Sequence, residues 1–189
     1  MNMEYFDICD ENGMPTGETI SREEAHRDGI RHRTAHVWVI RQVNGRTQIL
    51  MQKRSEDKDS FPGMYDTSSA GHIPAGDEPV DSALRELEEE LGIKAAGEQL
   101  NYAGSFSNQY EKEFHGKLFR DNEVTRVYVY REPVNIDDLH IQESELSEVR
   151  WFDMQEVWAE IQVNRDRFCV PMSGLKVLMD YLAVMDLGR

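Results

Sequence analysis

Cysteine is nearly absent: Cys9 and Cys169 are the only two in 189 residues. They form no CxxC pair and no zinc spacing. That excludes a disulfide scaffold, and the expectation is two free thiols in a reducing cytoplasm. No apolar run approaches the ~20 residues that a membrane-spanning helix needs. The opening MNMEYFDICDENG is acidic and lacks an apolar segment, so it does not read as a signal peptide. Positive charge is also scarce, with 21 Lys and Arg against 36 Asp and Glu and a formal net charge of −15. So acidic a chain is repelled by nucleic acid and by anionic membranes, which excludes general binding to either. An anionic small molecule would bind only where cations reverse the local field. There is no internal repeat and no low-complexity segment. What remains is a globular cytoplasmic protein, monomer or homodimer, with the length of one domain.

Several local signals divide the chain. YFDICDENGMPTGETI reads as two short strands around Asn12-Gly13. Ser21 followed by Glu24 is a capping-box pattern, so a short helix should follow and end near Gly29. HVWVIRQV, Asn44-Gly45 and RTQILMQKR form a strong hairpin signal. SEDKDSFPGMYDTSSAG is a loop by composition, and so is the polar stretch SNQYEKEFHGKLFRDNE. QLNYAGSFSNQ, EVTRVYVYRE and EVRWFD read as strands, while MQEVWAEIQ and GLKVLMDYLAVM read as helices. The mixture predicts an α/β (α+β) sandwich of helices on a mixed sheet. Residues 1–30 would be an N-terminal extension packed on a main domain spanning residues 31–189.

The stretch RELEEELGI concentrates four glutamates on one helix, which Pro79 opens and Gly92 closes. At about 100° per residue, Val80, Ala83, Leu84, Leu87 and Leu91 share one arc, the core face. Glu86, Glu89 and Glu90 share the adjacent arc, and Glu88 points nearer solvent. Like charges at this spacing weaken a helix by a few tenths of a kcal/mol per pair. Either a solvated face tolerates them or a cation binds there. Hard divalent cations take several oxygen ligands, and Mg²⁺ keeps some of its waters, which suits three glutamates on a rigid element.

The residues before the helix complete a pattern. Gly71, five residues, Asp77, seven residues, Arg85-Glu86-Leu87, one residue, Glu89-Glu90, one residue and Gly92-Ile93 resemble the Nudix box. Chance agreement at nine fixed positions is on the order of 10⁻⁷ per chain. Asp77 stands where Glu is usual, one methylene shorter, with Glu78 beside it. The resemblance implies a mixed-sheet sandwich with a loop–helix–loop site. It implies Mg²⁺ or Mn²⁺ held by Glu86, Glu89, Glu90 and the Gly71 carbonyl, and Arg85 orienting the glutamates. Glu86 would be the general base, or else an acid from a later loop. The implied reaction is hydrolysis of a phosphoanhydride in a nucleoside diphosphate linked to another moiety, a small-molecule substrate. A non-catalytic nucleotide-binding module on the same scaffold is the alternative.

From about His32 onward the chain also resembles type I isopentenyl diphosphate isomerase of the same superfamily, through RHRTAHVW, TSSAGH and DNEV. That likeness implies a second metal site of His26, His32, His72 and Glu123, with Asp121 one strand step away. The isomerases carry a cysteine immediately before the Gly-His pair to protonate the alkene, and this chain has Ala70 there. An isomerase-like scaffold running hydrolase chemistry is the resulting expectation. Phosphate partners would come from Arg33, Lys53, Arg54, Lys117, Arg120 and Arg126. Trp38, Tyr65, Phe106 or Tyr110 would stack on a base, and Glu111 or Glu113 would add a ligand from the later polar loop.

Overall fold

A computed structural model describes residues 4–58 and 60–187, so the outermost residues of the chain and Asp59 of the expected loop lie outside it. Strands β1 (Tyr5–Cys9) and β2 (Pro15–Ser21) form a small antiparallel sheet, followed by helix α1 (Arg22–Asp28). Ser21 Oγ caps α1, accepting from the Glu24 N–H at 3.3 Å and donating to its carboxylate at 2.6 Å. Gly29 ends the helix at φ 69°, a left-handed conformation that glycine adopts without a Cβ clash.

The main sheet has seven strands: β3 (His32–Val43), β4 (Arg46–Arg54), β5 (Tyr65–Asp66), β6 (Ser69–His72), β7 (Leu100–Phe114), β8 (Lys117–Tyr130) and β9 (Leu146–Asp153). Its order is β5-β4-β3-β8-β7, with β6 on β3 and β9 on β4. The β3–β8 pair is parallel and the other pairs are antiparallel, so the sheet is mixed. Side chains alternate across it. Val37, Val39 and Leu50 pack under α2 (Pro79–Leu91), against Ala83, Leu87 and Leu91. Trp38, Ile40, Ile49 and Met51 pack on the other face with Val157 and Ile161 of α3 (Met154–Val163) and with Leu175, Leu178 and Leu182 of α4 (Met172–Leu187). The result is an α/β/α sandwich in which the core fixes the orientation of α2.

Two expected loops are partly strand. The first contains β5 and β6. The second, SNQYEKEFHGKLFRDNE, is a continuous β7–β8 hairpin turned by His115 and Gly116 at φ 50° and 75°. Two successive positive φ values suit the two-residue turn that matches strand twist. Its polar composition reflects position rather than disorder. β3 accompanies β8 only from Glu123 onward, so residues 109–122 project beyond the sheet as a two-stranded arm. Helix α1 rests on this arm: Asn122 donates to Gly29 O at 3.0 Å, and Phe119 stacks on His26 at 4.4 Å.

Candidate functional site

The acidic helix meets the sheet at β6. Glu86 lies so close to Gly71 that a Cβ there would sit 2.2 Å from its Cδ, so any larger residue would displace the Glu86 carboxylate. Arg85 donates to Glu86 Oε1 at 2.9 Å and to the His72 carbonyl at 3.3 Å, and approaches Asp77 Oδ2 at 3.4 Å. Despite its shorter reach, Asp77 still engages Arg85. Glu90 is buried and accepts from the Ala70 N–H at 3.1 Å and from the Gln52 amide at 3.4 Å. Burial, and then the Glu86 charge, push Glu90 up to about 8. Glu86 is raised by burial, against the pull of Arg85. Glu89 and Glu88 are exposed.

The second cluster lies deeper, with His26 and His32 buried and His72 and Glu123 partly buried. One ligand atom from each of His26, His32, His72 and Glu123 lies within 4.8 Å of the others. Among the described residues this is the only such group; the box glutamates share the cleft without converging as tightly. His26 Nδ1 lies 2.9 Å from Arg22 O, and His32 Nδ1 lies 2.8 Å from Ile30 O. A carbonyl only accepts, so each Nδ1 carries the proton and each Nε2 presents a lone pair to the cluster. His32 Nε2 and His72 Nε2 stand 3.7 and 3.5 Å from Glu123 Oε1, and His26 Nε2 stands 3.7 Å from Asp121 Oδ1. These separations exceed hydrogen bonds. The three Nε2 atoms and Asp121 Oδ1 are buried without a hydrogen-bond partner. Donors around one cation at ~2.1 Å lie roughly 3–4 Å apart, so the cluster fits a metal ion by its spacing, tautomers and orphaned atoms.

Burial, and then the His32 imidazole, depress His26 to about 4, and burial holds His72 well below its ordinary range. Burial pushes Glu123 up, and only positive charge on the His32 and His72 side would bring it down. Asp121 is raised by burial and by the Glu123 charge. Aromatic rings fix the imidazoles. Phe6 is fully buried and stacks on His72 at 4.6 Å and on His32 at 4.9 Å. Nothing in the sequence singled out Phe6 or Phe119 for this task. Gln52 also went unnoticed, although a glutamine directly after Leu50-Met51 breaks an apolar run.

Both clusters open into one cleft of about 2120 Å³, lined by Gly71, Glu86, Glu89, Glu90, His72 and Glu123 among others. The expected phosphate partners separate here. Arg54 and Lys117 line the cleft, but Lys53 does not. Arg33 is turned away, its guanidinium held 2.6 Å from Asp7 and 3.2 Å from Asp77 O. Arg120 is taken by Glu111 and Arg27 O, and Arg126 by Tyr102 and Asn12 O. Lys58 and Lys112, which sequence reasoning passed over, lie on the rim, and the Lys112 ammonium sits 4.4 Å over the Phe61 ring. Tyr110 lines the cleft, whereas Trp38, Tyr65 and Phe106 are core. Glu111 and Glu113 are exposed on the arm, and Glu111 pairs with Arg120 at 3.0 Å.

Fold and site first define a class: an α/β/α sandwich whose open end carries an acidic helix and a histidine cage on one cleft. The family model for the NUDIX domain matches residues 31–170. The chain is 41% identical over 158 residues to Nudix hydrolase 3 of Arabidopsis thaliana, covering 82% of this chain and 20% of that protein. It is 38% identical over 146 residues to an uncharacterized Nudix hydrolase of Clostridium acetobutylicum, covering 77% of this chain and 68% of that one. The NUDIX domain of NrtR from Shewanella oneidensis, complexed with ADP ribose, shares the fold with a TM-score of 0.57 at 17% identity, over 81% and 86% of the two chains. The chain belongs to the Nudix family, whose hydrolases cleave pyrophosphate bonds. It spans about a fifth of the Arabidopsis relative. Among the described residues, no helix is long and apolar enough to cross a membrane.

Proposed function

We propose that the protein hydrolyses the phosphoanhydride of a nucleoside diphosphate linked to another moiety, with Mg²⁺ or Mn²⁺. The arrangement of Glu86 and Glu90 around the Gly71–Ala70 backbone at the cleft supports it most. Glu86, Glu89, Glu90 and the Gly71 carbonyl would hold the cation. When bound, it supplies positive charge against the phosphate oxygens. Glu86 takes the proton of the water attacking phosphorus, and Arg85 keeps that carboxylate aimed. Lys112 and Lys117 at the rim would face the remaining phosphate charge, joined by Arg54 from its bonds to Ser60, while Lys58 is paired with Glu145.

His26, His32, His72 and Glu123 hold a second cation in this reading, and three imidazoles suit a first-row transition metal. Of the expected extension, residues 1–30, and main domain, residues 31–189, the described part of the extension belongs to the working unit, since β1 and α1 supply Phe6 and His26. ADP ribose, the molecule complexed with the NrtR domain, has the expected chemistry for a substrate. A cytoplasmic monomer or homodimer acting on a small molecule fits the two free thiols and the acidic composition.

The test is product release from nucleotide sugars, dinucleotide cofactors, coenzyme A and nucleoside di- and triphosphates with either metal, comparing wild type with Glu90→Gln. Metal-dependent cleavage that disappears in the variant is the expected result. Nucleotide binding without turnover in wild type would instead favour the non-catalytic module.

A further inference from the structure

We propose that His36 is a substrate-contact residue whose Nε2 donates a hydrogen bond to a phosphate oxygen lying over Ala70. This rests on the hydrolase reading of the cleft and adds a residue that neither the box nor the histidine cage contains.

The ladder between β3 and β6 locates it. Thr34 pairs with His72 and His36 pairs with Ala70, and residues opposite each other in a ladder share a face. His36 therefore stands one ladder step beyond the cage residue His72. It faces the residue whose N–H binds Glu90 and whose neighbour, Gly71, cradles Glu86. A diphosphate reaching between the two clusters passes this point, and Ala70 leaves room above the strand. The cross-strand Cβ separation is about 5 Å, so no side chain at position 70 comes between the imidazole and that room.

The side chain suits contact better than packing. His36 is 8% exposed and lines the cleft. Its ring edge rests on Phe106 at 5.7 Å, and Nδ1 lies 3.5 Å from the Thr67 hydroxyl. At that distance the hydroxyl does not fix the tautomer; the phosphate contact takes the neutral form with the proton on Nε2. Among the described residues that nitrogen has no hydrogen-bond partner, and the residue lines the cleft. Farther along the same face β3 turns apolar, at Trp38 and Ile40. A leucine at position 36 would fill the space without a polar atom to satisfy. The cations lining the cleft, among them Arg22, Arg54, Lys112 and Lys117, come from other elements. A neutral donor on the floor meets a phosphate oxygen without pairing with the carboxylates that are to hold metal.

The experiment compares wild type with His36→Leu and His36→Gln. Calorimetric binding of inorganic pyrophosphate and of ADP ribose is measured in Mg²⁺, beside the KM and kcat of ADP-ribose cleavage and the Mg²⁺-induced rise in Tm. The leucine variant should bind both probes about tenfold more weakly and raise KM by the same factor, with kcat within about twofold. Glutamine, which keeps a donor, should recover most of the loss, and the Tm rise should be unchanged in both. Ala70→Val, which fills the space over the strand, should weaken binding in the same way. Unchanged binding in the leucine variant overturns the proposal. So does equal loss in both His36 variants together with the Mg²⁺ response, which would mark a packing role. If wild type binds the probes without cleaving them and leucine still weakens binding, the contact stands while the hydrolase reading falls. If wild type binds neither probe, the contact falls as well.

Discussion

The two clusters on the cleft are built in opposite ways. Three of the box acids sit within five residues of one helix, and Glu89 is exposed to solvent. The cage takes one ligand each from α1, β3, β6 and β8, and is buried and walled by Phe6 and Phe119. In the box, protein cations and N–H groups already engage the carboxylates: Arg85 holds Glu86 and the Ala70 N–H holds Glu90. In the cage, the imidazole Nε2 atoms lack hydrogen-bond partners altogether. The box is thus arranged to exchange ligands with solvent and substrate. In the proposed reading the cage would retain a single ion, because leaving several buried polar atoms unpaired is costly.

Removing the acid assigned as base should give the largest effect. Glu86→Gln should lower kcat roughly 10²–10⁴-fold while leaving the cage's response to Zn²⁺ intact; equal loss of both would dissolve the distinction between the clusters. Next comes His32→Ala. It should abolish the Tm rise expected of wild type with Zn²⁺, a stabilisation of about 2.7 kcal/mol when the ion is at a hundred times its Kd. A full Tm rise in this variant would show that the cage does not bind the ion. Gly71→Ala tests the contact between β6 and the box. Its Cβ would meet Glu86 at 2.2 Å, so cleavage should drop about 10–100-fold, with about 1–3 kcal/mol lost to overpacking as read from urea unfolding. Wild-type cleavage would mean that Glu86 can shift freely.

Legibility in the sequence followed the same divide. Periodicity placed α2, its core face and its acid face, because a helix carries its pattern locally. Ser21–Glu24 and Asn44-Gly45 were readable for the same reason. The cage was not readable from spacing: ninety-seven positions separate His26 from Glu123, and only the ladders linking β3 to β6 and β8 bring His32, His72 and Glu123 together. Resemblance to a family named those residues; no local rule did. The arm misled because Glu111 and Glu113 alternate with Tyr110, Lys112 and Phe114, and a strand exposed on one face reads as polar loop. Arg33 misled because its charge is visible in the sequence, while its partner Asp7, far away in β1, is not.

The smallest effect is a pH dependence that should separate the clusters once more. Glu90 is raised by burial from its ordinary value of 4.5 to about 8 in the metal-free protein. A carboxyl raised on folding contributes stability that is fully present below 4.5 and is lost as pH rises through 8. His26 has the opposite sign: lowered from 6.5 to about 4, it contributes stability that is present above 6.5 and is lost as pH falls through 4. Between pH 6.5 and 8 the Glu90 slope therefore remains, and metal-free Tm should fall. A cation at the box competes with the Glu90 proton, so the Mg²⁺-induced rise in Tm should be larger at pH 8 than at pH 6.5. The gain in affinity for one proton displaced is at most about tenfold per pH unit. His26 and His72 stay neutral across this window and add no slope to the rise given by an ion in the cage. Any slope there would come through Asp121, raised by burial and by the Glu123 charge, so Asp121→Asn should flatten the cage response and leave the Mg²⁺ slope unchanged. A Mg²⁺ slope that this variant also removes would mean that both ions enter the same cluster.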